Sequence, residues 1–125
     1  MGRRVIVHRV VAAVESGEVV SPDGIRNQIE GGIVQSISRT GHEAVAYDAR
    51  SRRSYDWSTY PILRCDDAPL SVAVEPIDRP GQLFLGSGEA ARRPAAAAYA
   101  NAVAAATGRR LRDMPLTDDA IRIAG

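Results

Sequence analysis

The sequence predicts an α+β fold: two main helices packed on a small mixed or antiparallel sheet. Three observations carry that prediction. Ile25, Ile29, Ile33 and Ile37 recur every four residues, the spacing of one buried helical stripe. A second helical run opens at Pro94, is built almost wholly of alanine, and stops at Gly108. Between and before these runs lie valine-rich segments with the alternation of half-buried strands.

The elements follow in order. Residues 5–14 read as a strand, with Val5, Val7 and Val11 among polar or small neighbours. Ser21-Pro22-Asp23 then has the chemistry of a helix start: a hydroxyl cap, a proline at the first position and a carboxylate suited to the dipole. The first helix is expected over residues 22–40. Gly31 and Gly32 fall inside it, and each costs about 0.5–1 kcal/mol relative to alanine. Some body must therefore approach that face closely, either another helix or a ligand. Residues 43–47 suggest a strand, 48–53 a polar hairpin loop, and 55–69 an irregular stretch around Pro61. Residues 71–77 form the next strand, with Val72, Val74 and Pro76 on one side and Pro76 marking an edge. The second helix is expected over residues 94–107. A short helix or tail at 118–123 ends the chain.

A length of 125 residues corresponds to one domain, residues 1–125, and hydrophobic residues at 45% suffice for a core. Basic and acidic residues number 16 and 15, so the near-neutral balance makes no case for nucleic acid or an anionic membrane. Cys65 is the only cysteine, which excludes an internal disulfide or an iron–sulfur cluster held by this chain. His8 and His42 lie too far apart for a helical zinc pair. The N-terminal apolar run is broken by His8 and Arg9 and reads as neither a spanning helix nor a signal peptide, so a cytoplasmic location is expected.

Chemistry concentrates in Leu85-Gly86-Ser87-Gly88-Glu89, a carboxylate between a glycine-rich turn and the alanine helix. Gly86 and Gly88 let backbone approach a bulky ligand, and Glu89 precedes a helix N-terminus. Known glycine motifs do not account for it. Gly81 and Gly86 have P-loop spacing without the lysine, and Ala91 replaces the third glycine of a dinucleotide fingerprint. Leu85 stands where a serine-hydrolase elbow needs glycine. Glu30 and Glu89 could form a carboxylate pair, but no spacing in the sequence sets their separation.

Several segments taken together are more specific. Gln28-Ile29-Glu30-Gly31-Gly32-Ile33-Val34-Gln35, Tyr60-Pro61-Ile62-Leu63-Arg64 and Gly86-Ser87-Gly88-Glu89 occur in this order. Asn101-Ala102-Val103, Ala106-Thr107-Gly108 and Leu111-Arg112-Asp113-Met114-Pro115-Leu116 follow. The set resembles the C-terminal portion of the molybdopterin-binding large subunit of the xanthine dehydrogenase and aldehyde oxidase family, over residues 5–117.

That resemblance implies a fragment of a molybdenum-cofactor-binding domain, and an oxidoreductase acting on aldehydes or N-heterocycles. Glu89 matches the family's catalytic glutamate, a general base at the molybdenum centre as an electron-poor carbon is hydroxylated. Gln28 matches a glutamine that hydrogen-bonds the molybdenum cofactor (molybdopterin), and Gly88 belongs with the cofactor-binding residues. The resemblance also implies a long stretch of chain ahead of this segment, holding most of the pterin-binding loops and the substrate pocket. The expected partners are those remaining molybdopterin-binding segments, in the same or another chain, with iron–sulfur and flavin subunits in addition. This chain is not expected to retain the cofactor or turn over alone, and exposed apolar surface would favour self-association. The alternative is an inactive stand-alone remnant acting as a binding or interaction module. The family usually has proline directly after the glutamate and small or proline residues next; here the run is Ala90-Ala91-Arg92-Arg93-Pro94, and its two arginines block the site, pair with Glu89 or point to solvent.

Overall fold

The computed structural model describes residues 4–123. Its elements run β1 (Val10–Glu15), α1 (Pro22–Gly41), a single 3-10 turn (Cys65–Asp67), β2 (Val72–Ile77), α2 (Arg92–Thr107) and α3 (Asp118–Ile123). The expected α+β class holds, with two main helices on a small sheet. The sheet itself has two strands, and they pair in parallel from Val10 opposite Val72 to Glu15 opposite Ile77. A mixed or antiparallel sheet is thus corrected to a parallel one. The connection between the strands contains α1, and such a crossover returns the chain in the same direction.

The ends of α1 follow from its sequence. Ser21 Oγ accepts the Gly24 N–H at 3.3 Å, and Pro22 begins the helix. Ile29, Ile33 and Ile37 are 2%, 2% and 3% exposed and form the core with Val74 and Ala91. Ile25 packs half-buried at the edge of that cluster. Helix α2 closes at Gly108, whose φ of 73° is left-handed and whose N–H reaches Ala104 O at 2.9 Å. It opens at Arg92, two residues before the expected start; Pro94 then falls in the first turn, where a missing N–H breaks no helical bond.

Two strand expectations need correction. The strand placed at residues 5–14 pairs regularly only from Val10, because the inward side changes between Val7 and Val10. Val7 and Val10 both pack against the core, so Val11 turns outward and is 64% exposed. The strand expected at 43–47 reduces to one antiparallel bridge between Tyr47 and Arg52. Val45 and Tyr47 are exposed there, so no buried face rewards a longer ladder. The hairpin loop itself forms: Asp48 Oδ1 accepts the N–H groups of Arg50 and Ser51, each at 2.8 Å. Those two bonds hold the Asp48 carboxyl below its ordinary value.

Much apolar surface stays uncovered. Leu83, Phe84 and Leu85 are 80%, 65% and 65% exposed. A groove of about 280 Å³ lies along β1, lined also by Ile29 and Ile33 of α1 and by Ala91, Pro94, Ala95 and Ala98. Among the described residues no helix is long and apolar enough to cross a membrane.

Candidate functional site

Helix α1 carries a second stripe, one residue ahead of its isoleucines. Gln28, Gly32 and Ser36 recur at four-residue spacing and meet the turn that leads into α2. At the first position, a methyl group placed on Gly88 would lie 4.0 Å from Gln28 Oε1. At the second, a methyl on Gly32 would lie 3.4 Å from Ala91 Cβ and 3.9 Å from Arg92 Cγ. At the third, Ser36 Oγ donates to the Arg92 carbonyl at 2.7 Å. One helical face therefore seats residues 88–92, bringing Gln28 beside Gly88 across sixty positions of sequence (88 − 28).

Glu89 stands in this turn, its side chain 76% exposed. Its Oε1 accepts Arg92 Nη1 at 2.8 Å, and its carbonyl accepts the Arg92 N–H at 3.2 Å. Of the three roles open to the arginines, Arg92 takes the pairing one, while Arg93 is exposed. The Glu89 carboxylate is thus paired with this arginine.

The two readings of the glycine pair divide between them. Gly32 is buried and lies on the packing face, with Ala91 and the Arg92 stem against it. Gly31 is exposed with nothing within 4 Å of an added methyl, so its face is open. Gly86 is open in the same sense. The sequence expectations do not include Gly32, Ser36 and Arg92 among the site residues. The signal that could find them is the 28-32-36 spacing, whose small members leave room for a neighbouring turn.

Two of the other segments used for the resemblance, residues 60–64 and 111–116, lie at the opposite end of α1. Ser38 Oγ donates to Glu43 Oε1 at 2.5 Å and accepts the Leu63 N–H at 3.0 Å. Tyr60 Oη donates to Glu43 Oε2 at 2.8 Å, and this bond to a carboxylate raises the phenol above its ordinary value. Leu116 is buried and its N–H reaches Thr40 O at 2.7 Å. These groups anchor the C-terminal end of α1. Among the described residues no three His, Cys, Asp or Glu side chains cluster to hold a metal ion.

Comparison with known proteins agrees with this architecture. The profile of the molybdopterin cofactor-binding domain family matches residues 3–69, more than half of the chain. That span includes Gln28, while Glu89 lies beyond it. A nicotinate dehydrogenase subunit of Pseudomonas putida is 41% identical over 120 residues, which are 96% of this chain and 10% of the relative. The beta subunit of isoquinoline 1-oxidoreductase of Brevundimonas diminuta is 33% identical over 88% of this chain and 14% of its own. The crystal structure of quinoline 2-oxidoreductase from Pseudomonas putida 86 superposes with a TM-score of 0.76 at 28% identity, over 89% of this chain and 15% of that one. This chain thus spans 10 to 15% of the length of these three proteins. Its fold, its sequence and the profile match agree: the chain belongs to the molybdopterin cofactor-binding domain family of xanthine dehydrogenase and aldehyde oxidase enzymes, and the cofactor implied by that membership is the molybdenum cofactor.

Proposed function

We propose that this chain supplies one wall of a molybdenum-hydroxylase active site, with Glu89 as general base and Gln28 and Gly88 as cofactor contacts. The observation that carries the reading is the meeting of Gln28 with the Gly88–Glu89 turn on one exposed face. An amide that both donates and accepts, beside glycines with open space, suits the edge of a polar heteroaromatic cofactor. Glu89 keeps its second carboxylate oxygen outside the Arg92 bond, able to accept a proton from a group held in front of it. When bound, the molybdenum cofactor supplies the two-electron oxidation of substrate. Gly31 and Gly86 each leave open space beside the backbone.

These three residues form only part of a wall, since a cofactor of this size is held by convergent groups from many segments. Further molybdopterin-binding segments therefore complete the site, and iron–sulfur and flavin subunits receive the electrons. The groove along β1 and the exposed Leu83-Phe84-Leu85 run are apolar surfaces that such segments would cover. The relatives' names favour an N-heterocycle or an aldehyde as substrate; one relative is the molybdenum-binding subunit of an Escherichia coli aldehyde oxidoreductase. A cytoplasmic location is part of the same reading. The same uncovered surfaces also favour the second reading, an inactive interaction module that self-associates.

The test is replacement. This chain is substituted for the matching segment of the related Pseudomonas putida nicotinate dehydrogenase subunit, and molybdenum content and nicotinate turnover are measured. The expected hybrid retains molybdenum and turns over. Glu89→Gln then abolishes turnover with molybdenum retained, and Gln28→Ala lowers molybdenum content. Turnover surviving Glu89→Gln would falsify the base assignment; a hybrid that loads no molybdenum favours the interaction module.

A further inference from the structure

We infer that Arg92 is a positioning residue for Glu89: seated on the Gly32–Ser36 face of α1, it holds one carboxylate oxygen and leaves the other free for the proton. The inference rests on the reading of Glu89 as the base. An exposed Glu–Arg pair three residues apart ordinarily contributes little, because both side chains are long and mobile. Here one partner is not free to move. The Arg92 carbonyl is held by Ser36 Oγ at 2.7 Å. Its Cγ lies 3.9 Å from where a Gly32 methyl would stand, ordinary van der Waals distance, so the stem rests against α1 at this point. Its Nε is buried, and among the described residues it has no hydrogen-bond partner. The anchored stem leaves the guanidinium tip at Glu89, where Nη1 donates at 2.8 Å.

Glu89 is consequently tied twice to the same residue, through its carbonyl and through Oε1. A glutamate in a turn, 76% exposed, would otherwise sample many rotamers, and only a fraction would face a bound group. Ser36 completes the seat without touching the carboxylate.

The experiment has two arms. In the molybdenum-loaded hybrid, Arg92→Gln is expected to lower kcat by roughly tenfold or more, the scale of misplacing a reacting group, with KM and molybdenum content little changed. Arg92→Lys should recover most of that loss, and Ser36→Ala should give a smaller fall in the same direction. In the 125-residue chain, ¹H–¹⁵N spectra should show a slowly exchanging Arg92 Nε–H whose position moves on Glu89→Gln. An Arg92→Gln hybrid that matches or exceeds the unaltered kcat, while Glu89→Gln is inactive, overturns this inference and spares the base assignment. An Arg92 Nε–H signal indifferent to Glu89→Gln also overturns it. Turnover in Glu89→Gln instead removes the base assignment itself.

Discussion

Replacing Gly31 by alanine should strengthen the fold while weakening the site. Gly31 is the tenth residue of the twenty in α1, far from either cap, and an added methyl meets nothing within 4 Å. The gain is therefore the intrinsic helix preference, about 0.5–1 kcal/mol, with no packing term to subtract. For a domain of this size that corresponds to a rise in Tm of roughly 2–4 °C. Gly41 provides the contrast: its methyl would stand 3.0 Å from Tyr99 Oη, so Gly41→Ala should gain less or lose stability. Thermal unfolding of the 125-residue chain, followed by circular dichroism, measures both. The hybrid enzyme supplies the second half, because a cofactor passing close to the open Gly31 face should be retained less well by Gly31→Ala. A Tm that stays level or falls would mean that α1 is not continuous and open at this point. Unchanged molybdenum content would place the cofactor elsewhere.

Tyr99 should make stability pH-dependent at the alkaline end. Its burial, and then the nearby Asp118 carboxylate, raise the phenol above 10.0, so the fold favours the neutral form. The stabilisation is complete below the unfolded value and is lost as pH rises through the higher folded value. Urea midpoints should begin to fall as pH approaches the ordinary phenol value and go on falling above it, and Tyr99→Phe should remove the Tyr99 share of that fall; an identical slope in the variant counts against it. Filling the groove beside β1 with Ala95→Trp should leave the isolated chain folded but lower molybdenum retention in the hybrid, whereas Ala105→Trp on an exposed part of α2 should not. Equal retention in both variants would show that the groove is not covered in the assembled site.

Local rules make the helices legible. Ser21 and Pro22 start α1, and Gly108 ends α2, through bonds that each sequence position implies without knowledge of distant residues. The isoleucine period likewise names the buried face before any partner is known. Strands are less legible, because a strand exists by pairing. Val11 fits an alternating pattern with Val5 and Val7, yet a change of register between Val7 and Val10 turns it outward. Residues 43–47 have strand composition without a face to bury, and form only a bridge.

The site divides in the same manner. Glu89 and its glycines, and Gln28 with its own, are visible as residue types in unusual settings, and a family resemblance gives them roles. Their relation is not visible, since sixty positions separate Gln28 from Gly88 and no local rule measures that distance (88 − 28). Packing α2's entry turn against the 28-32-36 face brings them together, sets Ala91 and Arg92 against Gly32 and leaves Gly31 open. It also chooses one role for Arg92 among three, because the direction of a long side chain depends on where its stem is seated. Chain chemistry specifies which groups are available and where helices begin and end; the approach of two distant segments specifies which of those groups act on one another.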